Sequence, residues 1–272
     1  MSPLKLYQKI TLIFCFGLCV NGPVPASDLL KEQRWAEQLV DNIVVGDAQW
    51  LTANGQQFLA IYTEAQTPNP LGGVILLHGM GAHPDWPAVI SPLRRELPES
   101  GWSTLSIQMP ILSNQAKIKD YLAIFEDVAP RINAAMTFLH ARGIANVALV
   151  GHSLGAAMGA DYLAKHNSGG DIRAFVGIGM GGYKPPDVPL NTPSSLAKIA
   201  IPVLDLYGSL DLDAIKNSVR DRAKAAQKAN NKLYRQTEIL GADHFFTGMD
   251  KLLVNHVRSW LKKFASSVKF TR

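Results

Sequence analysis

The sequence predicts an α/β domain built on a mostly parallel sheet that helices cover on both faces. From residue 72 onward, short apolar runs alternate with longer helical patterns, and this alternation is typical of parallel strands joined by helices. The runs are continuous in Val, Ile and Leu, as expected for strands buried on both faces. They cover residues 74–77, 104–107, 147–150, 174–178, 203–207 and 233–239.

The segments between and around these runs complete the prediction. Residues 28–40 form an amphipathic helical pattern, and strand-like runs at 44–51 and 58–62 flank Asn54 and Gly55, a pair that predicts an antiparallel hairpin. Further helical patterns cover residues 87–99, 118–142, 153–166, 213–229 and 248–265. The basic face of the 213–229 pattern is interpreted as solvated, with a partner-binding face as the alternative.

Composition restricts the class of protein. The chain has 272 residues, of which 47% are hydrophobic and 18% charged. This is ordinary globular composition and excludes disorder or a coiled coil as the main state. The formal net charge of +5 is spread along the chain, so nucleic-acid binding is not indicated. Because no repeat or linker is visible, we predict a single domain over 27–272.

The first 26 residues have the three-part pattern of a secretory signal peptide. Lys5 and Lys9 precede an apolar run at 10–20, and a small-residue cleavage site ends at Ala26. An eleven-residue run is too short to span a bilayer. We therefore expect cleavage, no stable membrane insertion afterwards, and a periplasmic or secreted protein. An uncleaved anchor remains the alternative.

The candidate nucleophile is Ser153, in a G-x-S-x-G motif at residues 151–155. The five-residue pattern is weak by itself, but here it follows a buried strand and opens a helical pattern. That context predicts a sharp turn that exposes the serine hydroxyl, with glycines where side chains would collide. A glycine-rich turn without chemistry is the alternative.

The candidate general base is His244, because a serine hydroxyl needs a base to accept its proton. His244 lies between the last strand-like run and the last helical pattern, at the sheet edge where the serine turn also lies. His152 adjoins the serine and is expected to point elsewhere. Three other histidines lie in or at the ends of helical patterns, where a solvated or capping side chain is typical: His140, His166 and His256.

The candidate orienting acid is Asp211, which follows the 203–207 run and precedes His244 in the chain. An imidazole base needs a carboxylate to fix its tautomer, and the order Ser, Asp, His is the one expected of α/β-hydrolases. Two other acids are nearby. Asp205 lies inside the strand and should project from a sheet face, and Asp213 is expected to be a helix N-cap.

The candidate oxyanion donors are the amides of Leu154, just after the serine, and of Met80, in the loop after an early strand. A G-x-G-x-x-G match at 177–182 resembles a dinucleotide fingerprint, but two prolines follow it where a helix should begin. We therefore predict no cofactor, and no ligand cluster indicates a metal. Trp86, Phe245 and Phe246 are candidate pocket-wall residues, with a core position as the alternative for each.

These motifs resemble the α/β-hydrolase superfamily over residues 55–265. The stretch 77–87 (LHGMGAHPDWP) looks like a family of exported Gram-negative bacterial proteins of unknown function within that superfamily. The resemblance implies the fold and the triad positions but no substrate. Segment 179–200 is short for the helical lid of many lipases, so we expect an open pocket mouth and turnover of short esters in free solution.

The sequence thus predicts an exported serine hydrolase that acts on a small-molecule ester through an acyl-enzyme. The same catalytic residues could act on amide, thioester or lactone substrates, so these are alternatives to an ester. The sequence does not determine the oligomeric state. The alternative from another class is a non-catalytic envelope binding or scaffold protein that retains the fold.

Overall fold

The computed structural model describes residues 27–166, 170–182 and 190–265. The predicted signal peptide at 1–26 lies outside these residues. One eight-stranded sheet runs in the order β1-β2-β4-β3-β5-β6-β7-β8, and all neighbours from β4 onward in this order are parallel. The predicted fold class is confirmed. The strands are β1 Asp47–Ala53, β2 Gln56–Thr63, β3 Gly72–Leu77, β4 Trp102–Ile107, β5 Val147–His152, β6 Ile172–Ile178, β7 Val203–Gly208 and β8 Tyr234–Ile239.

The predicted hairpin joins β1 to β2 at the first edge of the sheet. Asn54 and Gly55 both have positive φ, 49° and 75°, the turn geometry that matches strand twist. The first strand begins at Asp47, three residues later than expected. Gly46 has φ 83° and a Cβ there would overlap the Tyr62 carbonyl oxygen, so the chain turns before it can pair and leaves Val44 87% exposed.

Eight α-helices and two 3₁₀ segments surround the sheet in the described ranges, and none of them is long and apolar enough to cross a membrane. The predicted 118–142 helix begins as a 3₁₀ segment, and the 213–229 pattern is two helices. Sequence reasoning missed α5, which has only five residues. The helices are α1 Leu29–Val40, α2 Ile90–Glu96, α3 Val128–His140, α4 Leu154–His166, α5 Thr192–Leu196, α6 Asp213–Lys216, α7 Val219–Lys228 and α8 Asp250–Phe264; the 3₁₀ segments are Leu97–Ser100 and Ile118–Asp127.

The sheet has a hydrophobic core on each face, as the continuous apolar strands predict. Along β3, Ile75 and Leu77 pack in one core, and Val74 and Leu76 pack in the other, because successive strand side chains point to opposite faces. The first core includes α3 and α4, and the second includes α2 and α8. The carboxyl ends of β3, β5, β7 and β8 therefore share one edge, where the candidate residues lie.

Candidate active site

Ser153 lies in a sharp turn between β5 and α4. Its φ is 55°, a left-handed value that is uncommon for a residue with a side chain. The flanking glycines make the turn possible. A Cβ on Gly151 would lie 2.7 Å from the Ala156 nitrogen, and a Cβ on Gly155 would overlap the Leu77 and His78 carbonyl oxygens. The two glycines let α4 start directly against the end of β3.

The structure brings Ser153, His244 and Asp211 together from three loops at the same sheet edge. The His244 Nε2 atom lies 3.0 Å from the Ser153 Oγ atom, and the Nδ1 atom lies 2.6 Å from the Asp211 Oδ1 atom. In the neutral ring, Nδ1–H donates to the carboxylate and Nε2 accepts from the hydroxyl. A Cβ on Gly208 would overlap the Ala242 carbonyl oxygen, so this glycine lets the Asp211 loop pack against the His244 loop.

The Asp211 side chain is fully buried. Its Oδ1 atom also accepts a hydrogen bond of 2.7 Å from the Leu212 amide, whereas Oδ2 has no partner among the described residues. Gly179 lies against this pair: its φ is 57°, and a Cβ there would stand 3.0 Å from two His244 ring atoms. Part of the glycine run that resembled a dinucleotide fingerprint therefore leaves room for the His244–Asp211 pair.

The two predicted oxyanion donors flank the serine. Leu154 is the first residue of α4, whose N-terminal end favours negative charge. Met80 follows Gly79, where a Cβ would lie 3.2 Å from the Ser153 Cβ atom. Within the described ranges, neither the Leu154 nor the Met80 amide has an acceptor. Both N–H groups are thus free to donate to a ligand.

His78 holds the Met80 loop in place, a role that sequence reasoning missed. Its Nδ1 atom donates to the Gly79 carbonyl oxygen at 2.9 Å, and its Nε2 atom accepts from the Met109 amide at 2.9 Å. The Gly79 carbonyl and the Met80 N–H belong to one planar peptide unit, so His78 sets the direction of that N–H. Burial lowers the pKa of His78 to about 3, which keeps the ring neutral.

His152 binds the backbone of the His244 loop. Its Nε2 atom donates to the His244 carbonyl oxygen at 2.9 Å, and the two ring centroids are 4.9 Å apart. Burial and the neighbouring His244 ring lower the pKa of His152 to about 4. No hydrogen bond joins this ring to the Ser153 hydroxyl in the described residues, and its contact with the backbone of His244 had no sequence signal.

The three candidate pocket-wall residues differ in position. Phe245 is 44% exposed, and its ring centroid lies 5.2 Å from that of His244. The Trp86 ring contacts His83 at 5.3 Å, and no ring contact joins it to the triad in the described residues. The prediction that Phe246 lines the pocket is wrong, because this residue is fully buried in the core with α8. Its φ of 54° turns the chain inward after Phe245.

The other two acids near β7 have separate surroundings. Asp205 projects from a sheet face, as predicted, and forms a buried ion pair with Arg222 at 2.6 Å. Asp213 is not an N-cap: Leu212 occupies that position and Asp213 is the first helical residue. Within the described residues, no cluster of His, Cys, Asp and Glu is suited to hold a metal.

A model of the family described as "Protein of unknown function (DUF3530)" matches residues 19–123 and 113–263. The chain belongs to this family. The family description gives no activity. No curated protein matches the chain in sequence.

Solved structures resemble the fold at low sequence identity. Est1E from Butyrivibrio proteoclasticus is 17% identical, with a TM-score of 0.60 over 80% of this chain and 98% of that chain. A dienelactone hydrolase from Anabaena variabilis is 21% identical, with a TM-score of 0.62 over 81% and 98%. A soluble variant of monoglyceride lipase from Saccharomyces cerevisiae is 14% identical, with a TM-score of 0.63 over 83% and 98%. This likeness shows that the chain has the α/β-hydrolase fold.

Proposed function

We propose that this protein is a serine hydrolase that cleaves carboxylic esters through an acyl-enzyme on Ser153. The observation that carries the proposal is the continuous hydrogen-bonded path from the Ser153 hydroxyl through His244 to the buried Asp211 carboxylate. A nucleophile, a base and an orienting acid in this order are the parts that acyl transfer needs. The structural likeness to an esterase-type fold agrees with the proposal without assigning a substrate.

In the acylation step, the Ser153 Oγ atom bonds to the ester carbonyl carbon while His244 accepts the hydroxyl proton at Nε2. The carbonyl oxygen becomes an oxyanion, and the free Met80 and Leu154 amides are its donors. His244 then gives the proton to the leaving alkoxide as the carbon–oxygen bond breaks. The alcohol leaves and the acyl group stays on Ser153.

In the deacylation step, His244 takes a proton from water, and the resulting hydroxide attacks the acyl carbon. The same two amides stabilise the second oxyanion. The bond to the Ser153 Oγ atom breaks and His244 returns the proton to that oxygen. The products are the carboxylic acid, the alcohol and the free enzyme.

Labelling with a fluorophosphonate tests the proposal, because this reagent reacts with an activated serine. We expect stoichiometric labelling of the protein and none of Ser153→Ala, with turnover of p-nitrophenyl acetate lost in the same variant. Ser194, on the short helix α5, offers a matched control: Ser194→Ala should label normally. Absence of labelling in a folded protein would favour a non-catalytic binding protein instead.

We also propose that the protein is exported after cleavage between Ala26 and Ser27. The charged start, the short apolar run and the small residues before Ser27 support this. The contacts of Ser27 agree with a domain that begins there, since its Oγ atom accepts a hydrogen bond of 3.1 Å from the Ile111 amide. Intact mass of the protein from a Gram-negative host should give Ser27, or a residue within a few positions of it, as the first residue; a mature protein that retains Met1 would contradict the proposal.

A further inference from the structure

A polar groove lies beside the Met80 loop, outside the triad. It has a volume of about 310 Å³ and separates one face of α1 from residues 113–115. Lys31, Arg34, Trp35 and Gln38 form the α1 wall, and their spacing places them on one side of the helix. Asp28, the N-cap of α1, lies at the end of this wall. The groove therefore contains two cations and one acid.

Lys31 is the unusual residue of the groove. The residue as a whole is only 7% exposed, and its Nζ atom donates to the Leu112 carbonyl oxygen at 3.0 Å and to the Asn114 Oδ1 atom at 2.8 Å. Both acceptors are neutral, and Lys31 forms no ion pair with any described residue. An ammonium group has three donors, so one remains for a ligand.

A buried charge without a counter-charge is costly. Burial lowers the pKa of the Lys31 amine; Asp28 opposes this shift and Arg34 adds to it. The Asp28 carboxylate accepts a hydrogen bond from the Lys31 backbone amide at 3.0 Å, whereas the Lys31 amine donates to Leu112 and Asn114, so Asp28 acts on the amine only through its charge. Asp28 balances only one of the two cations, so a bound anion would supply the second negative charge and relieve the repulsion between Lys31 and Arg34.

The groove lies within reach of Ser153. The Lys31 Nζ atom is 3.7 Å from the place of a Cβ on Gly81, and the Ser153 Cβ atom is 3.2 Å from the place of a Cβ on Gly79. These two glycines flank Met80. These two distances, two Cα–Cβ bonds and two steps of about 3.8 Å between successive Cα atoms together place the amine at most roughly 18 Å from the Ser153 Cβ atom. At about 1.2 Å per bond, an extended chain of roughly twelve atoms, together with the contact distances at its two ends, covers the largest such separation. A shorter chain suffices if the two groups lie closer together.

We propose that this groove binds the carboxylate of an ester substrate, at the end remote from the scissile bond, with Lys31 and Arg34 as its counter-charges. The inference rests on the proposed esterase function. A singly charged carboxylate fits better than a phosphate dianion, because Asp28 leaves the groove with a net charge of one positive unit. The preferred substrates are thus monoesters that carry a free carboxylate.

Two ester series test the proposal from both sides of the scissile bond. The first contains p-nitrophenyl monoesters of dicarboxylic acids of four to twelve carbons, and the second contains acetyl esters of ω-hydroxy acids; each is compared with its methyl-capped, uncharged form. We expect kcat/KM to favour the charged form about tenfold or more at the chain lengths that reach Lys31, the scale of a hydrogen bond to a charged group. Lys31→Gln should abolish this ratio, and Arg34→Gln should reduce it.

Lys119→Gln is the matched control, since Lys119 is an exposed lysine outside the groove. It removes the same charge and should leave the ratio unchanged. A ratio near one in both series, or a ratio that survives Lys31→Gln, would overturn the proposal while Ser153-dependent turnover of the uncharged esters keeps the proposed function. Melting curves verify that the variants are folded.

A binding measurement separates the groove from catalysis. On Ser153→Ala, calorimetry with monomethyl octanedioate and monomethyl dodecanedioate should show binding that weakens at least about tenfold in Ser153→Ala/Lys31→Gln, and the dimethyl diesters should bind equally to both. Binding of the monoanions without any ester turnover by the wild-type protein would refute the hydrolase but retain the anion site. Equal binding of charged and uncharged forms would refute the site.

Discussion

Two buried carboxylates near the end of β7 have opposite surroundings. Asp205 accepts four hydrogen bonds: 2.6 Å and 3.1 Å from Arg222, 2.6 Å from Tyr234 and 2.8 Å from Gln236. Asp211 accepts only two, from Leu212 and His244, and its Oδ2 atom has no partner within the described residues. Both are almost completely buried, so burial does not distinguish them.

The difference lies in the charge of the partner. Arg222 is permanently cationic and fully buried, so the charge of Asp205 is compensated in the resting protein. The partner of Asp211 is an imidazole, to which the proposed mechanism transfers the serine proton. In that mechanism the Asp211 carboxylate interacts most strongly with His244 in the transition state, which is where an interaction accelerates a reaction. Asp205 stabilises the fold, and Asp211 is suited to the chemistry.

The largest expected effect is the loss of turnover in Asp211→Asn. The neutral amide favours the wrong tautomer of His244 and cannot stabilise the imidazolium. We expect kcat for p-nitrophenyl acetate to fall by up to about 10⁴-fold, the scale of the same change in a serine protease triad, with a small change in melting temperature. Normal turnover in Asp211→Asn, or the large kinetic loss in Asp205→Asn, would reverse the assignment.

Asp205→Asn should reduce stability instead. It leaves the Arg222 guanidinium buried without a counter-charge, and removal of one partner of a buried ion pair costs about 3–5 kcal/mol. Urea unfolding should show this loss, while kcat of the folded enzyme stays within about tenfold of the wild type. The double variant Asp205→Asn/Arg222→Met should regain part of the stability, since no unpaired charge remains. No recovery would point to packing instead of charge.

Acid should lower the free energy of unfolding through His152. The pKa of His152 is about 4 in the folded protein and about 6.5 in an unfolded chain. Between these values the unfolded state binds more protons, so the contribution of His152 to stability is complete above about pH 6.5 and is lost as the pH falls toward 4.

Unfolding free energies at pH 7 and pH 5 measure this effect. The stability difference between the wild type and His152→Gln should shift by roughly 2 kcal/mol between the two pH values, in favour of the variant at pH 5. Replacement of the exposed His140 by Gln is the matched control. A constant difference would mean that His152 is already protonated or that its site opens to water.

Sequence reasoning worked where one local pattern determines the structure. The strands could be found because continuous apolar runs have few alternatives, and Ser153 could be found because the glycines at 151 and 155 are required by its turn. His244 and Asp211 followed from their places after β8 and β7. Each of these signals lies within a few residues of the feature that it predicts.

The misses involve contacts between distant segments. Arg222 lies in a basic helical pattern whose exposed members are solvated, and only the fold shows that it faces Asp205. His78 and His152 bind backbone groups of other loops, which have no side-chain signal. Phe246 follows an exposed phenylalanine, and its burial depends on one positive φ value. Asp213 has a residue type that is favoured at the N-cap, but its helix begins at Asp213 itself, one residue earlier than predicted.

The smallest expected effect is that of Asp213→Ala, which completes the comparison of the acids near β7. An N-cap acid would contribute about 1 kcal/mol, but Asp213 is the first residue of α6, is 88% exposed and lies 3.4 Å from the Lys216 amine. Exposed ion pairs of this kind contribute little, so we expect unfolding free energy within about 0.5 kcal/mol of the wild type and unchanged kcat. Asp211→Ala, two residues away, is the paired measurement and should lose turnover. A loss of 1 kcal/mol or more in Asp213→Ala would indicate that its carboxylate caps the helix in solution after all.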